Sequence, residues 1–192
     1  MGTLRTAIEG HDEKLGWRDF MGAVPANPGS EIAFTQARFE LEYDYGYDEA
    51  TATKGYKIGE VHVTVTLDRQ LMWADKKGRT DLLLRHEQGH YDIVALLARD
   101  LYEELTGWNT ARPPKRFRKQ SDLIDAVNSR RRSTLRLTQQ IGGVGDKVGT
   151  YDKQTNHGQD ATAQEKWDKA FETARVKGTK LMAGLGGLGV AP

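Results

Sequence analysis

The stretch Leu82–Asp100, LLLRHEQGHYDIVALLARD, decides how this chain is read. Its apolar residues recur at helical spacing, with Leu83, Ile93, Val94 and Leu97 on one stripe. His86 and His90 fall on the same stripe one turn apart, and Glu87 follows the first histidine directly. Residues four apart on a helix lie about 5–6 Å from each other on one face, so two imidazoles can address one ion while the glutamate projects beside them. With five histidines in 192 residues, the pattern is expected by chance roughly 0.008 times. Two imidazoles and a carboxylate buried within one turn would each need a hydrogen-bond partner, and a metal meets several of those demands together. Gly89 adds a hint: glycine inside a helix costs about 1 kcal/mol relative to alanine, so something packs closely there.

Outward from this motif, Thr80 is a suitable N-cap, Asp81 suits the positive end of the dipole, and Gly107 is a natural stop. The helix so bounded has about 25 residues. Downstream, Ser121 can cap a second helix through Ile141, ended by GGVG. A polar loop, DKVGTYDKQTNHGQD, follows; then Thr162 and Glu165 form a capping box for a third helix. Ala163, Trp167, Ala170, Phe171 and Ala174 share its apolar face, and it ends near Gly178.

Upstream, residues 31–45 and 60–68 read as strands. The second alternates Val61, Val63, Val65 and Leu67 with His62, Thr64 and Thr66, the pattern of a half-buried strand. A polar loop joins the two, so they form an antiparallel pair. Strands first and helices after predict an α+β domain over residues 1–178. The glycine-rich remainder, 179–192, is expected to be a flexible, idle tail.

Hydrophobic residues make up 38% and charged residues 29% of the chain, which excludes a disordered or membrane-embedded class. No segment approaches the roughly 20 apolar residues of a membrane span. The N-terminus lacks the apolar stretch of a secretory leader, so the expectation is a cytoplasmic protein or one exported without such a leader. The net charge of +1 points to no polyanionic partner, and no feature fixes an oligomeric state. Cysteine is absent, so any metal must be held by histidine and carboxylate.

A catalytic zinc takes three protein ligands and a water. Glu103 and Glu104 lie on the motif helix about 20 Å beyond His90, out of reach. Glu165 is engaged in its capping box, and His62 and His11 read as surface residues. The loop GTYDKQTNHGQD then offers His157 first and Asp152 as the alternative. Whichever is not a ligand can orient the site from behind.

Taken together, WRDFMG at 17–22, Trp73, the motif helix, YDKQTNHG at 151–158, Gln164 and Trp167 carry a resemblance. Over roughly residues 15–175 the chain resembles a family of bacterial zinc-dependent proteases long catalogued as a domain of unknown function. The resemblance implies a zincin-like fold: antiparallel strands, a long active-site helix and two further helices. It also implies Zn²⁺ as cofactor and a protein or peptide substrate. Its motif positions are His86, Glu87, His90, Tyr151, Asp152, Thr155, His157 and Gly158. GTYD further resembles the GTxD ligand motif of aspzincins, which keeps Asp152 in contention.

On this reading His86, His90 and His157 hold zinc, and Glu87 is the general base. A phenol, Tyr151 first and Tyr91 second, or an imidazole helps to stabilise the oxyanion. By analogy with zincins, EVHVTVTLD is the edge on which an extended substrate pairs. Two rivals stand beside it. Residues 112–136 hold nine Arg or Lys against two Asp and could grip nucleic acid, but only Phe117 is interleaved as an aromatic, which favours a solvated face. A non-catalytic zinc-stabilised interaction module would have no need of the base Glu87.

Overall fold

In the computed structural model, residues 5–29, 31–50, 53–143 and 147–190 are described. The alternating stretch forms the centre of a mixed sheet. Strand β4 (Gly55–Leu67) pairs antiparallel with β3 (Ala37–Asp48), from Ala37 opposite Leu67 to Asp48 opposite Gly55, with a register shift between Tyr43 and Tyr45. Val61, Val63, Val65 and Leu67 are buried, as their alternation predicts. Both strands run further than expected into the polar connection. Tyr47 and Tyr56 meet edge-on across the pair at 4.9 Å, and Tyr56 exchanges backbone hydrogen bonds with Phe117.

The other side of β4 is occupied too. A short strand β1 (Ala7–Glu9) pairs with it in parallel, Ala7 opposite His62 and Glu9 opposite Thr64. This corrects the expectation that EVHVTVTLD is an edge: that stretch is the middle strand. A separate two-stranded ladder joins β2 (Ala33–Phe34) to β5 (Trp73–Ala74).

Helix α1 (Asp81–Thr110) is the element on which everything else rests. Thr80 Oγ1 accepts from the Leu83 amide at 3.1 Å, the predicted cap. The helix passes Gly107 and ends three residues later, with the Ala111 amide on the Gly107 carbonyl. Its 30 residues span about 45 Å. One flank buries Leu83, Tyr91, Ala95, Ala98, Leu101 and Leu105 against the sheet and α2 (Gln120–Gly142). The opposite flank buries Ile93, Leu96 and Leu97 against the later helices.

Those later helices depart from expectation in three ways. The segment read as a loop contains a short helix α3 (Thr150–Thr155), whose Tyr151 and Thr155 turn inward one helical turn apart. Helix α4 (Ala161–Lys177) starts before the proposed capping box, because Asp160 caps it by accepting from the Ala163 amide at 2.9 Å. Glu165 is therefore no cap and instead pairs with Lys169 at 2.8 Å. Finally, the glycine-rich end is not a loose tail. It forms α5 (Leu181–Leu185), and Leu181, Leu185 and Val190 are buried in the cluster built on Trp167 and Phe171. Among the described residues no helix is long and apolar enough to cross a membrane.

Candidate metal centre

One turn of α1 places the His86 and His90 imidazoles edge to face, 4.8 Å between ring centres, with their Nε2 atoms 3.2 Å apart. The third partner comes from α3. Asp152 Oδ1 lies 3.2 Å from His86 Nε2 and 2.9 Å from His90 Nε2. These three residues form a group that could hold a metal ion. His86 and Asp152 are buried and His90 is partly so.

Glycines make this convergence possible. Gly149 begins α3 against the end of α2, where a Cβ would stand 2.6 Å from the Gly142 carbonyl carbon. Gly158 has φ +76, and a Cβ there would stand 2.7 Å from that of His86. Gly89 answers the question its presence raised: a Cβ would overlap the Tyr151 ring.

His157, the first-choice ligand, lines the same cavity but stands outside the group of three. The reason is helical geometry. Asp152 sits in the first turn of α3 on the side facing α1, and its carbonyl accepts the His157 amide at 3.0 Å. Asn156 and His157 then leave the helix in left-handed conformation, φ 49 and 51, carrying that imidazole to the cavity wall.

Electrostatics bind the group together. Burial pushes the Asp152 carboxyl up, but hydrogen bonds and charge from His86 and His90 outweigh it, holding the carboxyl well below the usual range. Burial pushes His90 down, and the Asp152 hydrogen bond and charge reverse that, leaving it raised.

Above the group lies a cavity of about 250 Å³. The extended stretch Glu31–Phe39 forms one wall, α2 forms another through Leu135, Thr138 and Gln139, and His86, Glu87 and His90 form the floor. Glu87 is 2% exposed, and its Oε2 accepts from the Thr35 hydroxyl at 2.6 Å. Thr35 carries no motif and was not legible in advance. Glu31 was missed likewise. Burial raises its carboxyl, and the Asp152 and Glu87 charges raise it further.

Both proposed phenols face away from the cavity. Tyr151 is fully buried, its ring stacked on His86 at 4.7 Å and 12°, with its hydroxyl donating to the His86 carbonyl at 3.1 Å. Burial raises that hydroxyl well above its ordinary value. Tyr151 thus supports His86 from behind and is corrected as an oxyanion group. Tyr91 points to the sheet flank, donating to the Gly10 carbonyl at 2.6 Å, its hydroxyl pushed up by burial to about 12.

The remaining candidates are accounted for elsewhere. His62 is 4.0 Å from Glu9 and His11 is 3.1 Å from Asp12. Within the basic segment, Arg116 pairs with Asp48 at 3.0 Å, Arg130 with Glu104 at 2.8 Å, and Lys115 lies 3.7 Å above the Trp108 ring. Comparison with protein-family models, curated proteins and solved structures finds no match for this chain.

Proposed function

We propose that this protein is a zinc-dependent metallopeptidase. The observation that carries the reading is the meeting of His86 Nε2, His90 Nε2 and Asp152 Oδ1 within 3.2 Å of one another, beside Glu87 on the floor of a cavity. With zinc–ligand bonds of about 2.0–2.1 Å, tetrahedral donors lie about 3.3 Å apart, close to these separations. Two imidazoles and one carboxylate suit zinc, and three protein ligands leave a fourth position open, as catalytic rather than structural sites do. Zinc held there would supply Lewis acidity toward a water nucleophile and a carbonyl.

The chain's own residues supply the rest. Thr35 holds Glu87 Oε2, leaving the other carboxylate oxygen to take a proton from water and return it to the leaving amine. His157 is the imidazole left on the cavity wall to stabilise charge growing on the carbonyl oxygen. The substrate edge is relocated to residues 33–37. The Ile32 carbonyl accepts from the Asp75 amide at 2.8 Å and the Gln36 carbonyl from the Asp68 amide at 2.9 Å. Strand alternation then turns the backbone of Ala33, Thr35 and Ala37 the other way, where an extended peptide can add. The motif positions of the protease resemblance support the same reading, since Tyr151, Asp152, Thr155 and Gly158 all touch or face His86.

Glu87→Gln tests the assignment. Zinc content should stay at the wild-type level while peptide cleavage falls roughly 10²- to 10⁴-fold. A wild-type protein that retains zinc yet cleaves no member of a peptide library would sink the peptidase reading.

A further inference from the structure

Behind the candidate centre runs a polar chain, from the half-exposed Arg85 inward to the buried Gln164, that none of the roles above requires. Arg85 donates to Asp168 Oδ2 through Nε at 3.0 Å and also through Nη2. Asp168 Oδ1 accepts from Gln164 Nε2 at 2.8 Å. Gln164 Nε2 also donates to the Tyr151 hydroxyl at 2.7 Å, and the residue is fully buried. Gln164 Oε1 lies 3.4 Å from His86 Nδ1, and Thr155 Oγ1 lies 3.2 Å from the same nitrogen.

The chemistry of these groups favours one arrangement, in which Gln164 Oε1 also lies 3.0 Å from the Tyr151 hydroxyl. A carboxylate paired with a guanidinium can only accept, so Asp168 forces the NH₂ side of the Gln164 amide toward itself. The carbonyl oxygen of that amide must then face His86. Thr155 spends its hydroxyl proton on the Tyr151 carbonyl at 2.8 Å, so it too offers His86 an acceptor. Two acceptors at Nδ1 draw the imidazole proton there, against a single acceptor at Nε2, the Asp152 Oδ1 at 3.2 Å, which His90 Nε2 meets more closely at 2.9 Å. We infer that Arg85, Asp168 and Gln164 form a relay that fixes the tautomer of His86, making Gln164 a positioning residue that keeps Nε2 ready to bind a metal ion. A reversed amide would set its NH₂ against Nδ1 and put the proton on Nε2, the atom that must coordinate.

The inference rests on His86 being a ligand, but not on peptidase activity. The test uses the full-length protein and Zn²⁺ alone, titrated against a competing chelator. Gln164→Leu should weaken zinc binding 10- to 100-fold. Asp168→Asn, which keeps the shape but lets the amide turn either way, should weaken it by a smaller factor. Nitrogen-15 spectra of the zinc-free wild type at alkaline pH should show the His86 proton on Nδ1, and in Asp168→Asn a mixture of tautomers. Wild-type spectra with the proton on Nε2, or full zinc affinity in both variants, would overturn the relay. If Gln164→Leu does not fold, Asp168→Asn and the wild-type spectra decide. Should the wild type bind no zinc, the ligand reading fails while the spectra still judge the relay separately.

Discussion

Past the middle of α1, Arg99 and Asp100 hold the segment from Ala174 to Leu181; between one and three turns from its start, His86 and His90 meet α3. Both joints use charged or polar side chains of one helix to grip a segment much later in the sequence. At the first, the Arg99 guanidinium donates to the Ala174 and Thr179 carbonyls at 2.8 Å each, and Asp100 accepts from the Leu181 amide at 2.7 Å. The Arg99 and Asp100 charges pair with each other at 2.9 Å, and the buried Arg99 Nε lies 3.6 Å from Glu103 without a hydrogen bond. At the second, two imidazole nitrogens and a carboxylate oxygen crowd one point. The first joint spreads its charges over backbone groups of several residues, whereas the second converges three side-chain donor atoms on one point, the arrangement that could hold a metal ion.

That contrast can be broken deliberately. The largest effect is expected from Asp152→Ala, which should abolish zinc retention after dialysis while the circular dichroism of the fold persists. His157→Ala is its counterpart: zinc should remain at one equivalent and kcat should fall about a hundredfold. Zinc lost from His157→Ala and kept by Asp152→Ala would exchange the two roles. Next comes the other joint. Leu185→Ala removes a fully buried side chain from the cluster around Trp167 and Phe171, and should cost about 3 kcal/mol, a drop in Tm of roughly 6–12 °C. Zinc affinity in that variant should be unchanged.

The smallest effect is a difference in pH dependence. In zinc-free protein His90 is raised from 6.5, so its stabilising share is full below 6.5 and is lost as pH climbs through the raised value. Asp152 is lowered from 3.8, so its share is full above 3.8 and is lost as pH falls through the lowered value. The stripped protein should therefore gain most from this pair between about pH 3.8 and 6.5. Zinc competes with protons for the same ligands, so its stabilisation should grow as pH rises. Scanning calorimetry of stripped and loaded protein at pH 6 and 8 should show the Tm gap widening at pH 8.

How much of this could be read in advance follows from how local each signal is. The helix bearing His86, Glu87 and His90, its Thr80 cap and the alternation of Val61 to Leu67 are short-range patterns, and all stand in the structure. The choice between Asp152 and His157 was not settled by pattern, because it turns on which side of a six-residue helix faces α1. Turn-forming residues hid that helix. The closing leucines were masked in a similar way: glycines dilute their spacing, and only contact with Trp167 and Phe171 gives the segment a reason to fold. A three-residue strand such as β1 has too few positions to show any period. Thr35 needed a partner 52 residues away before it meant anything.

That distance along the chain has a consequence for biosynthesis. Thr35 is separated from Glu87 by 52 residues, and His86 from Thr155 by 69, so no fragment emerging early from the ribosome holds a complete centre. Contacts closing such long loops form late. A nascent chain stalled before Asp152 should retain no metal ion, because its third candidate ligand has yet to be made.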